Sequence, residues 1–173
     1  MGRETLTAKK FTMNILNGVA IGTILALIPG ALLGEIFKAL LPVFPQGQFV
    51  LNVTTLSNSL LGLVIGVLIG YQFKFTPIQT GSLGLAVFLG GGVVDFTGET
   101  MTLSGAGDVI NMAIAGAIAS GLILLLGDRL KAYTILLIPP IVLIVGGGLG
   151  LSMLPLVSHM TTIRTIGGIS NIV

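Results

Sequence analysis

Residues 54–73 read TTLSNSLLGLVIGVLIGYQF, a stretch without a charged side chain that ends at Lys74. A helix of that length spans the hydrocarbon core of a bilayer, which is about 30 Å thick and needs roughly 20 apolar residues. The whole chain has the same character, since 53% of its 173 residues are hydrophobic and 8% are charged, whereas soluble domains carry about a quarter charged residues. The sequence therefore predicts an all-α protein, a polytopic transmembrane helical bundle.

Runs almost free of charge divide the chain into about five membrane segments. The predicted segments are 14–41, 54–73, 77–94, 109–127 and 133–157. Pro29 and Gly30 predict a kink or break in the first segment, and Pro139 with Pro140 predict a bend in the fifth. We predict a loop at 42–52, an uninterrupted helix at 54–73, and one transmembrane domain over 1–173. The first segment is longer than the core of a cleaved signal peptide, so we expect it to be retained.

Lysine and arginine indicate the orientation, because they accumulate in short cytoplasmic loops. With five crossings and a cytoplasmic amino terminus, six basic residues lie inside, namely Arg3, Lys9, Lys10, Lys74, Arg129 and Lys131. Two lie outside, Lys38 and Arg164. If 77–94 enters the membrane and turns back, Arg129 and Lys131 move outside and Arg164 moves inside, and the distribution weakens to five inside and three outside. We therefore favour a full crossing.

Several classes of function are disfavoured by the composition. The chain has no cysteine and one histidine, His159, so neither a zinc site nor a serine triad is predicted. Its basic residues are scattered, which argues against nucleic acid as a partner. Asp95 and Glu99 lack the spacing of a cation site, and a solvated loop is the better interpretation. We predict no catalytic residue, no metal and no cofactor, and we do not expect an enzyme.

Glycines recur at four-residue spacing, which lets helix backbones approach closely. They are Gly18 with Gly22, Gly30 with Gly34, and the series Gly62, Gly66 and Gly70. The pattern predicts a tightly packed bundle and a helix-mediated oligomer.

Two short polar clusters are candidate binding sites. Asp108 and Asn111 follow a glycine pair at the start of a membrane helix, where side-chain acceptors can hydrogen-bond a polyhydroxylated ligand. Asp108 is explained equally well as a helix cap, but a buried amide at Asn111 needs a partner of its own. Gln79 and Thr80 form a comparable cluster at the opposite membrane face. The alternative for this second cluster is an ordinary polar helix entrance.

Glu35 is a further candidate, one helical turn before Lys38 in the first segment. Residues three apart on a helix are neighbours, so an ion pair with Lys38 is the simpler interpretation. A carboxylate that faces a ligand is the alternative.

Three stretches together resemble one family. They are the run 18–41 with its end Gly34-Glu35-Ile36-Phe37-Lys38, the entrance Gln79-Thr80-Gly81-Ser82, and the segment Gly105-Ala106-Gly107-Asp108-Val109-Ile110-Asn111. They resemble the membrane (EIIC) subunits of the bacterial sugar phosphotransferase system, and most of all the branch that includes a regulator of perfringolysin O. The resemblance covers most of the chain.

The resemblance implies a multi-pass protein of the bacterial inner membrane that binds or conducts a sugar or a related small polar solute as a homodimer. Members of the family are much longer, so it also implies that this chain is an amino-terminal half of an EIIC-like permease. Phosphoryl transfer in that system uses cysteine or histidine on soluble phosphotransferase proteins, which are therefore expected partners besides the lipid bilayer.

Three functions remain open at this point. The leading hypothesis is a permease in which Asp108, Asn111, Gln79, Thr80 and Glu35 contact the solute. The alternative is a membrane sensor or regulator that uses the same scaffold without transport. The third is an oligomeric pore or scaffold without a dedicated substrate.

Overall fold

The computed structural model describes residues 7–95, 101–103, 105–130, 134–153 and 155. Six α-helices are described: α1 Ala8–Leu40, α2 Gln48–Ser59, α3 Leu61–Gln72, α4 Pro77–Gly90, α5 Val109–Leu130 and α6 Thr134–Ile141. A 3-10 turn, Pro45–Gly47, precedes α2, and a π-helical turn, Val142–Gly147, extends α6. Two short antiparallel strands, β1 Val94–Asp95 and β2 Thr102–Leu103, lie between α4 and α5. The predicted helical fold is confirmed.

Three described helices are each long and apolar enough to cross a membrane: Ala8–Leu40, Val109–Leu126 and Leu136–Met153. A fourth crossing results if the bent pair Pro45–Ser59 and Leu61–Gln72 forms one span. The helix Pro77–Gly90 is apolar but shorter. This arrangement is compatible with the predicted count of about five membrane segments.

Helix α1 differs from its prediction at both the start and the middle. It begins at Ala8, where the Oγ1 atom of Thr7 accepts a hydrogen bond from the amide of Lys10 at 3.3 Å. It then continues as one helix through Pro29 to Leu40, so the chain has no break at Pro29, and the kink that was the other form of this prediction stays a prediction. Proline removes one backbone donor, and contacts of α1 with α2 and α3 hold the helix together on both sides of that point.

The second membrane segment is not the uninterrupted helix that we predicted. Helix α2 begins at Gln48, inside the predicted loop, and the chain bends by 48° between α2 and α3. The hydroxyl of Ser59 donates to the carbonyl of Thr55 at 3.2 Å just before the bend at Leu60. Serine and threonine that bond back to the preceding turn often bend helices. The polar run at the start of this segment therefore produces a broken helix.

The glycines pack as their spacing predicts, with one exception. A Cβ atom at Gly66 would lie 2.7 Å from the Cα atom of Gly84, so α3 and α4 approach with almost no side chain between them. A Cβ atom at Gly18 would lie 2.6 Å from the Cα atom of Ile69, which joins α1 to α3 in the same way. Gly34 has no atom within 4 Å of its hypothetical Cβ. Close packing therefore applies to two of the glycine series and only partly to the third.

The last described helix crosses α4 and α5 through small residues. A π-helical turn follows Pro139 and Pro140, and the predicted bend of this segment stays a prediction. A Cβ atom at Gly150 would lie 2.7 Å from the Cβ atom of Ala115 and 2.9 Å from the Cα atom of Gly90. Three helices therefore meet closely at the carboxyl end of α4.

Candidate functional site

Asp108 caps the amino terminus of α5. Its Oδ1 atom accepts hydrogen bonds from the backbone amides of Ile110, at 2.8 Å, and Asn111, at 3.2 Å. Its own amide donates to the carbonyl of Gly91 at 2.9 Å, just beyond the end of α4. Gly107, which precedes it, has a φ of +76°, a conformation that glycine adopts without strain. The residue is half-buried. Its carboxylate caps α5, and its backbone amide joins the start of α5 to the end of α4.

Asn111 joins three helices through its side-chain amide. The residue has no exposed surface, and its Nδ2 atom donates to the carbonyl of Gly90 in α4 and, at 2.7 Å, to the carbonyl of Gly150. Its Oδ1 atom is buried and accepts no hydrogen bond within the described part of the chain. The residue thus combines two satisfied donors with one unused acceptor.

Gln79 and Thr80 lie at the other end of α4. The Oε1 atom of Gln79 accepts from the amide of Thr76 at 3.0 Å, and the hydroxyl of Thr76 accepts from the amide of Gln79 at 3.5 Å. This reciprocal pair is a capping box, and Thr80 donates to the carbonyl of Phe75 at 3.5 Å. A rise of 1.5 Å per residue places Gln79 about 16 Å along the helix from Gly90. The two predicted polar clusters are therefore separate.

Glu35 forms the ion pair that was its simpler interpretation. The Nζ atom of Lys38 lies 2.8 Å from the Oε1 atom of Glu35. The side chains of Glu35 and Lys38 are 75% and 64% exposed, and the pair lies near the carboxyl end of α1. The structure does not bring Glu35 together with Asp108 and Asn111 as parts of one cluster.

An open groove between α3 and α4 was not predicted. It has a volume of about 760 Å³. Its lining consists of Val67, Tyr71, Gln72, Lys74, Phe75, Pro77, Thr80 and Gly81. The sequence signal for it was present in Tyr71 and Lys74, an aromatic and a basic residue at a helix end, but we used Lys74 only to predict orientation.

Other predicted features fall outside what the structure describes. Glu99, His159 and the side chain of Asp95 are among the residues left undescribed. Within the described residues, no group of three or more histidine, cysteine, aspartate or glutamate side chains is placed to hold a metal. Sequence reasoning also gave no partner for Asn111, because backbone carbonyls such as those of Gly90 and Gly150 leave no mark in side-chain patterns.

Comparison with known proteins gives one match. The family model described as "Phosphotransferase system, EIIC" matches residues 13–172, almost the whole chain. No curated protein and no solved structure matches the chain.

Proposed function

Since the chain belongs to the EIIC family of the phosphotransferase system and is thus a multi-pass membrane protein related to sugar transport, we propose that it is a permease that binds and translocates a sugar-like solute. The match over residues 13–172 carries this proposal. EIIC domains are the membrane components of their transporters rather than catalytic enzymes. We place the protein in the bacterial inner membrane with a cytoplasmic amino terminus, as a homo-oligomer that works with soluble phosphotransferase proteins.

The proposed solute contacts are made by Asp108 and Asn111. Sugar hydroxyls are hydrogen-bond donors, and this site offers two unused acceptors: the buried Oδ1 atom of Asn111 and the second carboxylate oxygen of Asp108, for which no bond occurs within the described residues. A buried acceptor without a partner is costly. A solute hydroxyl that reaches Asn111 would therefore gain a desolvated partner.

Access to Asn111 requires movement in this proposal. Because the residue has no exposed surface, a solute reaches its Oδ1 atom only when the helices around it separate. The carboxyl end of α4 and the segment around Gly150 meet at this residue, so their separation would open the site. In many transporters discontinuous helices form the binding site, and access to it changes when one group of helices moves against another.

Gln79, Thr80 and Glu35 are not part of the proposed contacts. Gln79 and Thr80 bond within their own helix entrance, and Glu35 is paired with Lys38. Their predicted roles in binding stay predictions.

The test is uptake by proteoliposomes with Asp108→Asn. Asparagine caps helices about as well as aspartate, so the variant keeps the α5 cap while it loses the charge. We expect weaker solute binding and slower uptake across a panel of sugars, with and without soluble phosphotransferase proteins. Glu35→Gln is the matched control, since it removes an exposed carboxylate elsewhere. Unchanged affinity and uptake in Asp108→Asn would remove Asp108 from the site.

A sensor or regulator without transport is the second candidate. The observation in its favour is that one carboxylate oxygen of Asp108 and the side-chain nitrogen of Asn111 bond within the chain, as in a fixed structural joint. A sensor would bind solute in detergent but show no uptake in proteoliposomes, with or without soluble phosphotransferase proteins. The same two measurements therefore distinguish the candidates.

A further inference from the structure

One end of the bundle collects basic and aromatic side chains. The ring of Phe11 in α1 lies 5.2 Å from the ring of Phe73, which follows α3, and Phe73 stacks at 5.2 Å on Phe75. These ring contacts place the first turns of α1 beside the end of α3, where the exposed Lys74 follows Phe73. Lys38 lies near the other end of α1, which at 1.5 Å per residue is about 40 Å away.

Lys74 ends α3 in a conformation that usually requires glycine. Its φ is +56°, its amide donates to the carbonyl of Tyr71 at 3.0 Å, and the amide of Phe75 donates to the carbonyl of Gly70 at 3.0 Å. These two bonds form a Schellman motif, in which the left-handed residue is most often glycine. A glycine at position 74 is therefore compatible with the fold, and this makes the charge of Lys74 removable without loss of the turn.

The groove between α3 and α4 starts beside Lys74 and faces outward. Tyr71 is 75% exposed and Val67 is 39% exposed, so the groove opens on the outer surface of the bundle. Along α3 it extends from Lys74 to Val67, about 10 Å at the helical rise. The lining of the groove is partly polar and partly apolar. The polar residues are Tyr71, Gln72, Lys74 and Thr80, and the apolar residues are Val67, Phe75, Pro77 and Gly81.

We propose that this groove binds an anionic phospholipid, with the headgroup phosphate at Lys74 and one acyl chain along the apolar wall. The exposed lysine gives charge complementarity, and within the described part of the chain it forms no ion pair. The two acidic side chains that the structure describes, Glu35 and Asp108, lie near the far ends of α1 and α4. A groove with an apolar wall on the outer surface of the bundle, beside the lysine, fits an amphiphile better than a water-soluble anion. The site is independent of the solute site proposed above.

The first test removes the charge. Purified protein is titrated with phosphatidylglycerol and with phosphatidylcholine, and bound lipid is counted by native mass spectrometry. One lysine near an anionic lipid surface contributes about 1 kcal/mol, so Lys74→Gly should reduce the preference for phosphatidylglycerol roughly fivefold. Its thermal stability should equal or exceed that of the parent, because glycine suits the turn. Lys38→Gln is the charge-matched control and should keep the preference.

The second test fills the groove and leaves the charge in place. Gly81 lines the groove, and a Cβ atom added there would have no atom within 4 Å, so Gly81→Leu has room at its Cβ position, should fill part of the groove and should weaken lipid binding. Gly121→Leu is the matched control, since Gly121 also has open space around its Cβ position and lies outside the groove. An unchanged lipid preference in Lys74→Gly, or unchanged binding in Gly81→Leu, would overturn the proposal. Displacement of the lipid by millimolar inorganic phosphate would also overturn it and would indicate a soluble anion.

Discussion

Replacing Asn111 by leucine should destabilise the bundle by roughly 1–3 kcal/mol. The substitution keeps the side chain about the same size but removes two buried hydrogen bonds, to the carbonyls of Gly90 and Gly150, and each is worth about 0.6–1.5 kcal/mol. Two further effects oppose each other. The two carbonyls lose a partner, while the unpaired Oδ1 atom of Asn111 is no longer buried. Because each unpaired buried group costs on the order of 1–3 kcal/mol, the two carbonyls outweigh the one Oδ1 atom, and the net change lies toward the upper end of the range given above.

Circular dichroism in mixed micelles with an increasing fraction of dodecyl sulfate measures this change, since the chain has no tryptophan. Ser120→Ala is the matched control on α5. The hydroxyl of Ser120 is fully buried and has no hydrogen-bond partner within the described residues, so its removal should leave stability unchanged or raise it. Asn111→Asp should cost more than Asn111→Leu, because it sets an acceptor against two carbonyl oxygens. If Asn111→Leu is as stable as the parent, the interhelical bonds are not what Asn111 contributes.

Three other substitutions test packing and surface charge. Gly66→Ala should cost about 1–3 kcal/mol by overpacking, because its Cβ would lie 2.7 Å from the Cα of Gly84. Gly34→Ala should gain up to about 1 kcal/mol, since nothing lies within 4 Å; equal midpoints for the two variants in the dodecyl sulfate titration would refute the packing. Glu35→Gln should change the free energy of unfolding in the same titration by less than about 0.5 kcal/mol, because the pair with Lys38 is exposed. A larger loss of stability would show that the Glu35–Lys38 pair contributes more than an exposed ion pair does.

The fold class followed from the sequence because low charge over long runs leaves few alternatives to helices in lipid. Helix boundaries were harder to predict. The start of α2 at Gln48 and the bend at Leu60 were missed, because hydropathy averages over a window and does not register where serine and threonine bond back to the helix. The continuity of α1 through Pro29 was missed for a different reason, since it depends on contacts with other helices.

The local environments of Asp108 and Asn111 were predicted better than the geometry around them, and the role of both residues in solute binding stays a prediction. Spacing alone identified Asp108 as a cap and Asn111 as a buried amide in need of a partner, and the structure supplies the backbone carbonyls that serve Asn111. Gln79 and Asp108 both lie near the start of a helix, and this similarity suggested two similar polar clusters. The distance between the two clusters along α4 could not be predicted, because a sequence does not show which ends of neighbouring helices meet.

The end of α4 explains why a polar side chain is needed at position 111. Helix α4 has 14 residues, and its last residue, Gly90, is packed closely against Ala115 and Gly150. Carbonyls at the end of a helix that are buried away from water need partners from the protein. Asn111 donates to the carbonyl of Gly90, and the amide of Asp108 donates to the carbonyl of Gly91. The polar start of α5 therefore supplies the hydrogen-bond donors that the end of α4 needs. A solute that binds Asn111 would have to loosen this contact between the two helices.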